Sequence, residues 1–330
     1  MFDFDKGTEV PSKYLGAEKK TAILYEGERY MLKLPHPLEN KTVRQFEGQA
    51  SYKNNQFSEH IGSSIFRACG IDAQETALGY FTDDAGKRKI VVGCKDFTQD
   101  GGTLYEFSAL KNTVKHDKVL SENIEDVYEI IGNSPFITNQ QAVIAGFWNM
   151  FVIDALLGNR DRHLGNWGLL EKHGEFKLAP VYDCGSSLDA WLEDEEMQKL
   201  MLTASPQIKN NSYNVRSCYS INGKRIFYHE IFKTPPDDLR AAIARIVPRI
   251  DMAQIHAIVD ATPEMSDVRK QYLKQALDLR YREILLPALK RELAQEQKPS
   301  LMETLRENAE RAKAHNQELP PPKGRNDFDR

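Results

Sequence analysis

The spacing of apolar positions changes character about a third of the way along this 330-residue chain. Before the change the apolar stretches are short and strand-like. TAILY (21–25) and RYMLKL (29–34) flank Glu26-Gly27-Glu28 and predict a hairpin. FSEHIGSSIFRAC (57–69) sets Phe57, Ile61, Ile65 and Cys69 on one helical face, and Gly70 closes that helix. ETALGYF (75–81) and KIVVGC (89–94) flank the polar turn TDDAGKR and predict a second hairpin.

After the change the period is helical. SENIEDVYEII (121–131) aligns Ile124, Val127, Tyr128 and Ile131, with Ser121 placed to cap and Gly132 to terminate. AVIAGFWNMFVIDALL (142–157) is apolar almost throughout and ends at Gly158. A short β-pair, 168–170 with 176–179, is joined by the turn KHGE. From Pro236 onward DDLRAAIARIV, MAQIHAIVDA and SDVRKQYLKQALDLRYREILL read as helices separated by Pro248 and Pro263. The last residues are polar and interrupted by Pro320-Pro321-Pro322, the composition of a mobile tail. The expected fold class is α+β: a small β-rich lobe over 1–97, a larger, mostly helical lobe over 98–298, and a tail over 299–330.

Bulk composition narrows the function. A net charge of −4 and a pI near 6.1 provide no basic field for nucleic acid. The four cysteines form no CxxC pair and no zinc spacing, as expected for a reduced, intracellular-type protein. The N-terminus lacks the pattern of a signal peptide, and residues 142–157 are too short and too interrupted, by Asn149 and Asp154, for a membrane span. The expectation is a cytoplasmic chain that binds neither nucleic acid nor membrane, compatible with delivery elsewhere by another route.

The chemistry concentrates in GNRDRHLGNWGLL (158–170) and LAPVYDCGSSL (178–188). Apolar segments on both sides carry this polar cluster inward, where charge is costly unless something binds it. Asp161, Asn166 and Asp183 are hard oxygen donors suited to magnesium on phosphates. An Asn five positions after an Asp has the spacing of a protein-kinase catalytic loop, and Asp183-Cys184-Gly185 stands where such enzymes carry a second metal-binding Asp before Gly. Upstream, Lys33 in a strand can point at phosphates, and Glu59 in the first helix is placed to pair with it. SKYLGAEKKTAI (12–23) could fold over the phosphates. The plainer alternative is a solvated helix end and an ordinary turn, with Lys13, Lys19 and Lys20 as surface charges. The two motifs together weigh against it.

LGAEKKTAI, YMLKLP, LLGNRDRHLGNWGLL and LAPVYDCGSSL together resemble the HipA-like serine/threonine kinases, and within them the short CtkA-type chains, from about residue 12 to 290. The DRHxxN run is also similar to that of phosphoinositide kinases. The resemblance implies a two-lobed protein-kinase-like fold that uses ATP and Mg2+. It implies that Asp161 is the general base, that Asn166 and Asp183 hold the metal, and that Lys33 binds phosphates. Leu15, Gly16, Ala17, Glu18, Lys19 and Lys20 would form the phosphate loop, and Lys95, Asp96 and Phe97 the hinge that meets adenine. His163 and Tyr182 would line the nucleotide site, with a loop-bracing role favoured for His163. Arg160 and Arg162 read as loop-bracing or solvent-facing, and Trp167 as packed below the loop. Ser12 is a candidate autophosphorylation site. Expected partners are ATP, an unidentified protein substrate and a regulatory or antitoxin-like protein. The competing readings are a lipid or small-molecule kinase, and a nucleotide-binding pseudokinase acting as an interaction protein.

Overall fold

Two strands absent from the hydrophobic pattern frame the N-terminal sheet. The computed structural model describes residues 1–11, 20–35, 54–114, 121–202, 206–296 and 309–311. Strands β1 (Phe2–Asp3), β2 (Thr8–Val10), β3 (Lys20–Tyr25) and β4 (Glu28–Lys33) precede helix α1 (Asn55–Ala68), and β5 (Thr76–Thr82) and β6 (Arg88–Lys95) follow it. The sheet order is β1-β5-β6-β4-β3-β2. Both expected hairpins form, β3–β4 around Glu26-Gly27 and β5–β6 around residues 83–87.

Residues 2–10 thus hold both edges of one sheet: β1 runs parallel to β5 and β2 antiparallel to β3. Between them Phe4 sits in a single 3-10 turn and is fully buried. Its ring lies over Gly79 and Gly93; a Cβ on Gly79 would come within 2.5 Å of it. Phe4, Ile23, Leu32, Leu34, Phe81 and Val91 form a core of their own, apart from the main one. Burying one such aromatic contributes roughly 1.5–3 kcal/mol. Helix α1 packs on β5 and β6, joining this lobe to the rest.

The larger lobe begins with β7 (Thr103–Glu106), α2 (Phe107–Leu110), α3 (Ile124–Asn133) and α4 (Gln140–Leu157). Helix α3 starts at Asn123 rather than Ser121 and runs through Gly132. Ser121 instead donates from N and Oγ to Asp126 Oδ2, at 3.0 and 3.2 Å. Helix α4 starts where Asn139 accepts from Ala142 N and ends at Gly158, whose φ of 66° is the left-handed conformation glycine tolerates. Apolar on every side, α4 is the central core helix. It is the one helix among the described residues with the length and hydropathy of a membrane span, and most of it is buried within the fold.

Strands β8 (Gly168–Lys172) and β9 (Glu175–Leu178) form the expected pair, with β7 as a third strand. Helices α5 (Asp194–Leu202) and α6 (Pro206–Tyr213), the hairpin β10 (Arg216–Ile221) and β11 (Lys224–Phe227), and α7 (Tyr228–Ile231) come next. Three further helices stand where the C-terminal pattern places them: α8 (Asp237–Ile246), α9 (Met252–Ala261) and α10 (Asp267–Arg280). The last runs through a π turn, Tyr281–Leu285, into α11 (Leu286–Glu296). By packing, Met1–Leu289 form one unit and Lys290–Arg330 another.

Candidate active site

The cluster begins where α4 stops. Gly158 turns the chain against the Arg280 guanidinium, which leaves no room for a Cβ. Asn159 then fixes the next two positions. Its Nδ2 donates to Asp154 Oδ1 at 2.8 Å, and its Oδ1 accepts from Asp161 N at 3.0 Å. Its carbonyl accepts from Tyr228 Oη at 2.7 Å. Asp161 is therefore presented by a bracket rooted in the core helix.

The remaining loop folds on itself. Asn166 Nδ2 donates to the Asp161 carbonyl at 2.6 Å, and Asn166 N to the His163 carbonyl at 2.9 Å. With the amide nitrogen committed, Oδ1 is the atom of Asn166 suited to a cation. His163 Nδ1 accepts from Gly165 N at 3.0 Å, a bracing contact within the loop. Trp167 is buried beneath, stacked on Phe107 at 3.9 Å, and donates to Tyr219 Oη.

Arg162 is the hub of this arrangement. Fully buried, it donates from Nε and Nη2 to the two Asp154 oxygens at 2.9 and 3.1 Å. Its Nη1 donates to the carbonyls of Asn166 and Tyr182, and Nη2 reaches Cys184 Sγ at 3.5 Å. One planar fork thus ties α4, the 158–167 loop and the Asp183 segment together. Burial opposes its charge, but Asp154 and Cys184 together more than offset burial and hold the guanidinium well above its ordinary range.

Asp183 meets the other lobe. Lys33 Nζ lies 2.9 Å from Glu59 Oε2 and 3.1 Å from Asp183 Oδ1. Burial works against the Lys33 ammonium, but Asp183 and Glu59 more than offset it, so Lys33 stays protonated. Asp183 has a φ of 59°, a strained conformation that Asp tolerates better than most residues. Gly185 follows in close quarters, its Cβ position 3.2 Å from Glu59 Oε2. The Ala73–Val181 bridge, with Val181 N donating to Asp72 O at 2.9 Å, fastens the strand entering this segment to the turn after α1. Ser186 Oγ sits 3.4 Å from Asp161 Oδ2. Burial pushes the Asp161 carboxyl up, with Asp183 adding to the shift and His163, Ser186 and Arg162 opposing it.

The hinge candidates divide. Lys95 N donates to Glu75 O at 2.8 Å and Lys95 O accepts from Gln74 Nε2 at 3.0 Å. Asp96 N donates to Arg29 O, and its carboxylate accepts from Thr98 N and Oγ1. Phe97 lies 6.1 Å ring to ring from Tyr182, whose hydroxyl donates to Gly165 O. Of the three, Phe97 is the one whose backbone is not committed to bonds among the described residues. Ser12 and Leu15 to Lys19 lie outside the described residues; Lys20 opens β3, paired in register with Lys33.

The structure therefore brings Lys33, Glu59 and Asp183 into direct contact, and Asp161, Asn166, His163 and Tyr182 into one loop assembly. Asp154, Asn159, Ser186 and Tyr228 are the supports the sequence reading does not single out. The one signal for them is Asp154, a carboxylate in an otherwise apolar helix. For magnesium the fit is a carboxylate and an amide oxygen. No cluster of three or more His, Cys, Asp or Glu ligands exists among the described residues. That sparse oxygen set suits an ion that keeps several waters and binds phosphates.

The family model described as HipA-like C-terminal domain matches residues 12–255. The chain belongs to the HipA-like family. A curated relative, the serine/threonine-protein kinase CtkA of Helicobacter pylori, is 38% identical over 285 residues, covering 83% of each chain. The crystal structure of a Helicobacter pylori proinflammatory kinase CtkA superposes on this HipA-like chain with a TM-score of 0.79 at 36% identity, covering 88% of this chain and 98% of that one. The two-lobed arrangement is thus that of a kinase fold. A Shewanella oneidensis HipA–HipB–operator DNA complex matches with 12% identity and a TM-score of 0.49, over 88% of this chain and 69% of that one, too slight a likeness to argue from.

Proposed function

We propose that this HipA-like chain is an ATP- and magnesium-dependent protein serine/threonine kinase. The observation that carries the proposal is the Lys33 ammonium held between Glu59 of one lobe and Asp183 of the other, beside the Asp161–Asn166 loop. An immobilised cation, a metal-suited oxygen pair and a half-buried carboxylate are the parts phosphoryl transfer requires.

In this reading Lys33, fixed by Glu59, binds phosphate oxygens. Asn166 Oδ1 and the Asp183 carboxylate would hold magnesium, which when bound neutralises charge on the phosphoryl group. Asp161 accepts the proton of the attacking Ser or Thr hydroxyl; Ser186 holds that carboxylate, and Asn159 fixes the backbone N–H of the same residue. Phe97 and Tyr182 form the adenine side, with the hinge contact shifted from Lys95 toward Phe97. Residues 1–97 act as the nucleotide lobe and 98–298 as the substrate lobe, Leu15 to Lys20 cover the phosphates, and Ser12 is the self-phosphorylated residue. The acceptor is a protein hydroxyl, and a regulatory or antitoxin-like protein is a further partner in this reading.

The test is incubation with labelled ATP and magnesium, alone and with a cell lysate, followed by phosphosite mapping. Label on Ser or Thr that requires both magnesium and Asp161 is the expected result. Label that survives Asp161→Ala, or no label under any condition, would remove the proposal.

A further inference from the structure

A second cavity lies between the lobes and shares no residue with the cleft around Lys33 and Asp161. It measures about 240 Å3 and is walled by Ile71, Met150, Trp167, Leu178 and Val181, with Arg249 at its mouth. The walls come from the turn after α1, from α4, from the start of β8 and from the exit of β9. Drug-sized ligand pockets run from roughly 300 to 1,000 Å3, so this volume suits a smaller molecule.

Beside the cavity the charge is weighted toward arginine. Arg249 is exposed and makes no hydrogen bond or ion pair among the described residues. Four positions earlier Arg245, half-buried, donates from Nε and Nη2 to Asn149 Oδ1, at 3.0 and 2.8 Å. Asn149 is itself part of the cavity wall, and its neutral amide leaves the guanidinium charge uncompensated. Asp72, exposed at the rim, is the one acidic side chain in the lining, and it pairs with neither arginine. Within the lining Arg249 stands against Asp72, and Arg245, outside the lining but bonded to Asn149 of the wall, adds a second guanidinium behind it. That surplus favours an anion, and the walls favour an apolar body attached to it.

We infer that this cavity is a binding site for a small organic carboxylate with an apolar body, its carboxylate on Arg249 and its body against Met150, Trp167 and Leu178. The inference stands apart from the kinase reading, because it uses none of the cleft residues. Its position has a consequence for them all the same. Val181 forms both a wall of the cavity and the bridge to Ala73, two positions before Asp183.

Phenylacetate serves as the probe, with phenylacetamide as its uncharged counterpart, and saturation-transfer NMR on the full chain as the measurement. Millimolar phenylacetate is expected to receive saturation, and phenylacetamide to bind about five- to tenfold more weakly, as loss of a charge-assisted pair implies. Arg249→Gln should bring phenylacetate down to the level of the amide. Ala179→Leu, which extends a wall residue into the space, should abolish both signals. Lys33→Met, a change in the cleft, should leave them as they are. Absence of transfer from phenylacetate, equal binding of the two probes, an unaltered signal in Arg249→Gln or a lost one in Lys33→Met would each overturn the site. Should Ala179→Leu fail to fold, the Arg249→Gln and Lys33→Met comparison decides alone.

Discussion

Replacing Arg162 by Met removes the fork and keeps most of the volume. Asp154 would then remain fully buried with Asn159 Nδ2 as its remaining side-chain donor, and the carbonyls of Asn166 and Tyr182 would lose a partner. Removing one side of a buried ion pair costs about 3–5 kcal/mol, because the other charge is stranded. For a packed unit of this size, at roughly 2.1 cal/mol/K of unfolding entropy per residue, each kcal/mol lowers Tm by roughly 1.5–2 °C, so the expected loss is on the order of 5–10 °C. A double variant, Arg162→Met with Asp154→Leu, removes both charges and should recover a good part of that loss. Arg162→Lys keeps charge but cannot reach the carboxylate and the two carbonyls at once, so its Tm should fall between. Thermal unfolding by circular dichroism measures all of these, and nucleotide titration shows whether the Asp183 segment is still in place. A Tm for Arg162→Met within a degree or two of the parent, or a double variant no more stable than the single ones, would refute the hub.

Asp161→Asn should keep the fold and nucleotide binding while phosphoryl transfer drops roughly 10²–10⁴-fold, a result read by label incorporation. The raised Asp161 carboxyl adds a pH signature: the folded state binds this proton more tightly than the unfolded one, so its contribution to stability is lost as pH rises through the raised value. Asp161→Asn should therefore be no less stable at neutral pH. The base must be ionised to act, so the acid limb of kcat/KM should lie above the ordinary Asp range and move higher still in Ser186→Ala, which loses an opposing hydrogen bond. Asp183→Ala should abolish divalent-dependent nucleotide binding in calorimetry; unchanged binding would take Asp183 out of the metal site. Gly79→Ala should cost about 1–3 kcal/mol in denaturant unfolding, because its methyl meets the Phe4 ring.

Long periodic segments and motif spacing make much of this molecule legible from its residues. Helices α1, α4 and α8 to α10 announce themselves by apolar period and by Gly or Pro stops. The meeting of Lys33, Glu59 and Asp183 is readable because a strand lysine, a helix glutamate and an Asp-x-Gly turn agree with one another. What escapes has physical causes. Strands β1 and β2 are two and three residues long, too short for alternation to show. The hairpin β10–β11 has a register irregularity between Arg216 and Ser220 and ordinary polar content. Arg162 is named by the sequence, but its inward direction depends on Asp154, a full helix turn and a loop away. That Lys95 and Asp96 have backbone groups taken by Glu75, Gln74 and Arg29 does not show either, because those partners are distant in sequence.

The fastening of both sheet edges by residues 2–10 sets an order of assembly. The hairpins β3–β4 and β5–β6 close locally, but β1 can dock only once β5, far downstream, has formed beside β6. Contacts between such distant positions carry the larger loop-closure cost and come late. Until then β5 presents an unpaired edge, and the floor of the smaller core lacks Phe4. An edge of that kind recruits strands from other chains. Slow docking of residues 2–10 would therefore surface as self-association during refolding, relieved by dilution, with the larger lobe already native.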